Sequence, residues 1–265
     1  MSESDGTKPG GTVDVSMRDG VAIVTLSYPE RRNAISLEIR ALLADRLKEL
    51  MESAVCRVII LTGAGGNFSG GGDLSTMKKM TVADARRRVQ AIHPSIQLIL
   101  TGAKPVIAAV EGWAVGAGVS MVAACDIVVA ARDARFQLAF SRVNLIPDAA
   151  ALFTLPARIG MGRAKMMMLT ADRIDAAYAA SIGLVDVLAE PGSALDQAFE
   201  IADRVKRGGP LAQEFTKSIL SRLPMSLDQL LAVEADTQAL LMATDDFQEG
   251  VQSFFEKRSA EFSGH

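Results

Sequence analysis

Cysteine is scarce in this chain. Its 265 residues include two, Cys56 and Cys125, too few for a disulfide framework, and a reduced, cytoplasmic setting is the expectation. Histidine is as rare: His93 sits in a helical pattern and His265 is the last residue. Neither stands at a spacing from acids that would hold a metal, so no metal centre is expected. Aromatic residues make up 5% of the chain, while Met occurs 12 times, which points to an aliphatic, adaptable interior. A charge excess is missing too. Lys and Arg total 28 against 31 Asp and Glu, a net charge of −3, so there is no electrostatic case for a nucleic-acid partner. No uncharged run is long enough to cross a bilayer: the most apolar region, residues 106–131, is cut by Glu111 and Asp126. The opening MSESDGTKPGG lacks the apolar core of a secretion signal, and residues 1–11 read as a flexible tail. A soluble protein with no membrane partner is expected.

Hydrophobic residues supply 49% of the chain, ample for a large core. Two runs, Val13–Met17 and Val21–Ser27, flank Arg18-Asp19-Gly20, and Asp-Gly between strands signals a hairpin. Ser36 precedes a helical pattern over 37–54, with Leu37, Leu42, Leu43, Leu47 and Leu50 as its stripe. Val58–Thr62 reads as a strand, a glycine-rich loop follows, and a helix is expected over 82–101, with Thr81 and Asp84 as a capping box. The order then repeats: a strand at Pro105–Val110, a second glycine-rich loop, a short helix at Ala117–Ala124, and a strand at Ile127–Ala131. From Ala149 onward the pattern is mainly helical, near 149–158, 162–169, 175–182, 192–207, 210–222, 226–243 and 245–258, with Asp175, Ser193 and Ser226 as caps and a late strand at Ile182–Leu188. The class is α/β, followed by an all-helical end.

The two loops are Gly63-Ala-Gly-Gly-Asn-Phe-Ser-Gly-Gly-Gly-Asp-Leu74 and Glu111-Gly-Trp-Ala-Val-Gly-Ala-Gly-Val-Ser120. Neither ends in the Gly-Lys-Ser/Thr of a phosphate loop, and the second lacks the third glycine of a dinucleotide loop. Two readings stay open. The loops are tight turns and close helix packing, or each lends a backbone N–H to one substrate oxygen.

One acid stands alone in Ser141-Arg-Val-Asn-Leu-Ile-Pro-Asp-Ala-Ala-Ala-Leu-Phe-Thr-Leu-Pro156. Between Arg142 and Arg158 the only charged residue is Asp148. It is either the N-cap of the helix that follows or a catalytic base whose pKa an apolar pocket would raise. The run Arg86-Arg87-Arg88 reads as a solvated helix face.

Over residues 13–262 the chain resembles the crotonase, or enoyl-CoA hydratase/isomerase, superfamily. Arg32-Asn-Ala34 is similar to the family's early R-x-N-A, and Asn67-Phe-Ser-Gly-Gly-Gly-Asp-Leu74 to its F-x-A-G-A-D loop. Gly112-Trp-Ala-Val-Gly-Ala-Gly118 with Cys125-Asp126 is similar to its G-x-A-x-G-G-G…C-D segment, and Glu249–Arg258 to its E-G-x-x-A-F-x-E-K-R ending. The resemblance implies a ββα spiral core over 12–200 that binds an acyl-CoA thioester, and a helical trimerisation region over 201–265. It implies a homotrimer or dimer of trimers. Coenzyme A would arrive as part of the substrate, with no separate cofactor. By position, the N–H groups of Gly72 and Ala117 would form the oxyanion hole. Ala34, Gly70, Asp73, Leu74, Trp113, Val115 and Gly116 would line the substrate. Arg32, Lys257 and Arg258 would meet CoA phosphates, the last two in a neighbouring subunit.

The departures are as informative. Where the family's hydratases carry two glutamates, this chain has Ser120 and Phe140, left as a hydrogen-bonding and an apolar lining residue. Ser141–Asp148 is similar to the F-S-x-x-G-L-V-P-D segment of isomerases of phenylacetate degradation. The expectation is an isomerase that moves a double bond by proton transfer through Asp148. A hydratase-like lyase with another acid/base set, or an acyl-CoA binder without catalysis, are the alternatives.

Overall fold

The structure, a computed structural model, describes residues 10–265. Residues 1–9 of the expected tail lie outside the described residues, and Gly10 and Gly11 lead straight into the first strand. β1 (Thr12–Arg18) and β2 (Val21–Ser27) pair antiparallel. Asp19 and Gly20 both take positive φ, 49° and 78°, as the two-residue turn requires. Ser36 accepts from the Ile39 N–H and caps α1 (Leu37–Glu52). The buried stripe of α1 is Ile39, Arg40, Leu43, Leu47 and Leu50. Leu37 is exposed instead, because six residues ahead of Leu43 is about a third of a turn off that stripe.

β3 (Val58–Gly63) leads into the first glycine loop. The single helix expected over 82–101 is two, α2 (Val82–Gln90) and α3 (His93–Thr101). Pro94 has no N–H to continue α2 and sits instead in the first turn of α3. β4 (Val106–Val110), β5 (Trp113–Val115), α4 (Ala117–Ala124), β6 (Ile127–Ala131) and β7 (Arg135–Gln137) follow. Then come α5 (Ala151–Ile159), α6 (Met161–Thr170), β8 (Arg173–Asp175), α7 (Ala176–Ser181) and β9 (Val187–Ala189). The chain closes with α8 (Ala194–Val205), α9 (Pro210–Leu220), α10 (Leu227–Met242) and α11 (Asp245–Glu256).

The main sheet has the order β1-β2-β3-β4-β6-β9, parallel after the first hairpin. β3 and β4 are apolar without alternation because both their faces are covered. Ile59, Leu61 and Ala108 pack with α1, α3 and α4; Ile60, Ile107 and Ala109 pack with Ala198, Ile201 and Ala202 of α8. A second small sheet, β5-β7-β8, was not anticipated. Its strands have three residues each, too few to show an alternation. The late strand is shorter than expected, since Gly183 turns the chain at a φ of 86° before β9 begins.

The helices expected beyond residue 149 all form, with ends shifted by a residue or two. Asp175 caps α7 and Ser226 makes a full capping box with Gln229; Ser193 stands at the N-cap of α8 without a side-chain bond. α8 crosses residue 200 and belongs to the sheet, so the helical end that stands off it begins at α9. Asp126 fixes α9 to the core, accepting from the Val106 N–H and from Lys217 Nζ, each at 2.7 Å. Burial pushes the neighbouring Cys125 thiol up to about 12, which leaves it an inert packing group. Among the described residues, no helix is long and apolar enough to cross a membrane, and no group of three or more His, Cys, Asp or Glu is placed to hold a metal.

Candidate active site

The two glycine loops lie side by side, stitched by main-chain hydrogen bonds. The N–H groups of Phe68 and Ser69 donate to Glu111 and Trp113, and Val115 donates back to Ser69, each at 2.9 Å. Asn67 adds a side-chain bond between the loops, its Oδ1 accepting from the Trp113 N–H at 3.2 Å, and Asn33 braces the first loop: its Nδ2 donates to the carbonyls of Ala64 and Asn67, each at 2.7 Å, and its Oδ1 accepts from the Tyr28 N–H. The loops press together at Gly71. A Cβ there would stand 2.6 Å from the Val115 carbonyl oxygen and 3.6 Å from the Ala117 nitrogen, and its φ is 88°. Only glycine fits both constraints.

This approach sets Gly72 beside the first residue of α4. Neither the Gly72 N–H nor the Ala117 N–H has an acceptor among the described residues. For Ala117 the reason is plain, since the first N–H groups of a helix have no partner within it. Two free donors on adjoining loops, one at a helix N-terminus, can hold an oxygen that gains negative charge.

Asp148 does not cap α5. The N-cap is Ala150, and only the Asp148 main-chain carbonyl contributes, accepting from the Ala151 N–H at 3.1 Å. The carboxyl is left for other work: its Oδ1 is buried and has no hydrogen-bond partner. Desolvation raises its pKa above the usual carboxylate value, opposed by the charge of Arg40 and then of His93. The next two residues, Ala149 and Ala150, both hold left-handed φ, 50° and 61°. Two L-alanines in that region cost about 1 kcal/mol or more each, and they turn the chain sharply between the carboxyl and α5.

Arg40 was missed in the sequence, although the signal was there. Positions 40, 43, 47 and 50 share one stripe, and a charge among leucines asks for a partner. The side chain is buried, 2% exposed. Its Nη1 donates to the Arg88 carbonyl at 2.6 Å and its Nε reaches toward the Ile35 carbonyl at 3.5 Å. Arg88 in turn leaves the solvated face expected of it. Arg86 and Arg87 are exposed, but Arg88 is half-buried and its Nη2 donates to Thr76 Oγ1 at 2.6 Å and to the Asp73 carbonyl at 3.3 Å.

The other expected residues divide. Phe140 lies against the second loop, its ring 3.8 Å from where a Gly116 Cβ would be. Ser120 is fully buried within α4, its hydroxyl donating to the Gly116 carbonyl at 3.3 Å. Ala34 and Asp73 are buried; Asp73 accepts from the Ser75 N–H and hydroxyl and so shapes the turn after Gly72. Leu74 is exposed, and Gly70 donates to the carbonyl of exposed Arg32 at 2.6 Å. The Arg173 guanidinium covers the Trp113 ring at 5.6 Å. Lys257 and Arg258 end α11. Arg258 is engaged there by Glu249 at 2.5 Å and Glu256 at 2.6 Å, and its hydrogen bond holds the Glu249 carboxyl down at about 2.

Residues 16–265 match the model of the enoyl-CoA hydratase/isomerase family. The chain belongs to that family. It is 34% identical to the 1,2-epoxyphenylacetyl-CoA isomerase of Escherichia coli, over 92% of this chain and 95% of that one. It is 31% identical to the crotonyl-CoA hydratase of Syntrophomonas wolfei, over 91% and 94%. The crystal structure of an enoyl-CoA hydratase from Polaromonas matches it with a TM-score of 0.92 at 32% identity, covering 95% of this chain and all of that one. The fold is therefore the crotonase fold. This member of the enoyl-CoA hydratase/isomerase family carries no acid at positions 120 and 140 and a half-buried one at 148.

Two outcomes follow from the turn at Asp148. Ala150→Gly should raise stability by up to about 1 kcal/mol, the relief of left-handed strain exceeding the added freedom of the unfolded chain; denaturant midpoints at fixed protein concentration measure it. Asp148 keeps its proton to higher pH in the folded protein than in the unfolded chain, whose value is near 3.8. Its contribution to stability is therefore full below that value and is lost as pH rises through the folded one. The stability of the wild type relative to Asp148→Asn should fall over that window, as urea titrations at a series of pH values would register.

Proposed function

We propose that the protein is an acyl-CoA isomerase that shifts a double bond by proton transfer through Asp148. The thioester oxygen would accept from the Gly72 and Ala117 N–H groups. Charge pooled on that oxygen makes the neighbouring C–H acidic enough for a carboxylate to take the proton. The same carboxyl returns it at another carbon of the conjugated system, so one base serves both halves and nothing is gained or lost overall. The observation that carries this reading is the half-buried Asp148, relieved of capping, with a buried and unpartnered Oδ1. The likeness to an epoxyphenylacetyl-CoA isomerase supports it.

A hydratase is the second reading, because several relatives bear that name. Hydration needs groups that position and activate a water. The Ser120 hydroxyl is spent on Gly116 and Phe140 has no polar atom, so a hydratase here would depend on Asp148 and a partner such as His93. A binder without catalysis is disfavoured by the two unengaged donors. Exposed Arg32 is suited to a CoA phosphate.

The helical end supports a trimer. α10 buries none of its 16 residues although five are leucine, and Phe254 and Phe255 of α11 are each 77% exposed. Apolar area on this scale marks an interface, and light scattering at micromolar concentration should return a trimer or a multiple of it. A monomer would count against it.

Asp148→Asn tests the base. Asn is nearly isosteric and cannot take the proton, so turnover should drop by at least about 100-fold. Enoyl-CoA substrates with the double bond at different positions, followed by mass spectrometry, separate the readings: unchanged mass marks isomerisation and a gain of water marks hydration. Wild-type turnover in the Asn variant would sink the assignment.

A further inference from the structure

We propose that the cavity between α6, β8 and the turn after β7 is a second binding site of this protein, built for a phosphorylated small molecule and separate from the place proposed for the thioester. The inference does not rest on the reading of Asp148.

The cavity has a volume of about 670 Å³, and arginines from three segments line it: Arg142 after β7, Arg163 on α6 and Arg173 on β8. Like charges gathered round one hollow repel one another unless an anion lies between them. Elsewhere the chain meets its cations with acids, as at Arg132 with Glu190, Arg158 with Asp186 and Lys217 with Asp126. Here it does not. Among the described residues, none of the three guanidiniums has a carboxylate at ion-pairing distance. Asp172 lines the same cavity and pairs with none of them. Three cations against one acid leave the lining with an excess of positive charge.

Two of the guanidiniums are held in place. Arg142 Nη2 donates to the Ala171 carbonyl at 3.0 Å, and Gln137, also in the lining, donates its Nε2 to the same carbonyl at 2.9 Å. Arg173 stands over the Trp113 ring. A guanidinium has five N–H donors, so most of each fork stays open to a ligand. A flat fork matches phosphate oxygens in geometry as well as charge, and fixing it beforehand lowers the entropy cost of binding.

Charge is half of the lining. Met166 is 62% exposed and Tyr178 46% exposed, and both face the same cavity. Apolar surface beside unpaired cations fits an anion that carries an apolar or aromatic body better than a bare ion. Asp172 is free to accept from a hydroxyl or amino group of that body. None of Arg32, Gly72, Ala117, Asp148, Lys257 and Arg258 lines the cavity, so an acyl-CoA held at those residues leaves it open. The cavity backs onto the second glycine loop, where the Gln137 carbonyl accepts from the Gly116 N–H at 2.8 Å.

Isothermal titration of the full chain with ADP, with free CoA in excess, tests the site; adenosine and inorganic pyrophosphate are the comparison arms. ADP should bind, and bind more weakly as salt is raised. Adenosine should not bind, and pyrophosphate should bind at least about tenfold more weakly than ADP because it leaves Met166 and Tyr178 uncovered. Arg163→Gln should weaken ADP by at least about tenfold, the loss of a charge-assisted contact. Arg163 is exposed and engages no acid, so this replacement leaves the fold intact. Arg32→Gln should leave ADP affinity unchanged. Absence of ADP binding, or equal affinity in Arg163→Gln, overturns the proposal. Pyrophosphate binding as tightly as ADP marks a sink for simple ions and overturns it too. So does a wild type that ignores ADP while Arg163→Gln changes its oligomeric state in light scattering, since the cavity is then a contact between copies of the chain.

Discussion

The close approach of two backbones at Gly71 is the constraint on which the site depends. The first loop leaves β3 and the second leaves β4, neighbouring strands of one sheet. Parallel pairing delivers both loops to the same end of that sheet. With a φ of 88° and the Val115 carbonyl where its side chain would be, Gly71 lets the chains close to contact. Asn67 Oδ1 and the main-chain bonds among Phe68, Ser69, Glu111 and Trp113 then lock the pair, and Asn33 braces the first loop. This stitching fixes the loops that carry the Gly72 and Ala117 N–H groups, and neither donor has an acceptor among the described residues.

The second organising element is a charge in the wrong place by ordinary folding rules. Asp148 sits where a cap would be useful, yet α5 starts two residues later, behind two strained alanines. Local stability is given up at that turn and a poised carboxyl is gained, the usual sign of a site under functional constraint.

Much of this was legible in the sequence, for identifiable reasons. The hairpin at Asp19-Gly20, the Ser36 and Ser226 caps and the helix α4 rest on local chemistry that the chain carries openly. The glycine loops were readable as a pair because their resemblance to a family covers both at once. What escaped was set by long-range geometry. β5, β7 and β8 exist only because they meet one another. Whether Asp148 caps its helix depended on the φ of Ala149 and Ala150, which no residue preference would have chosen. Arg88 was read as one of three like charges; its partners on the turn at 73–76 are twelve or more residues away. Arg40 could have been found, since an arginine on a leucine stripe breaks the binary pattern.

The free donors of this site belong to the main chain, which every residue type except proline supplies alike. On the proposed reading, the means of steadying a negative oxygen would lie in the path of the backbone, and proton placement would lie apart from it, at a side chain on another element. Positions 120, 140 and 148 lie on α4, on the turn after β7 and ahead of α5. A carboxyl can be withdrawn from one of them and installed at another without redrawing the two loops. Under that reading the scaffold is modular: a different reaction on the same thioester would call for a relocated acid, with the meeting of the two loops left as it is.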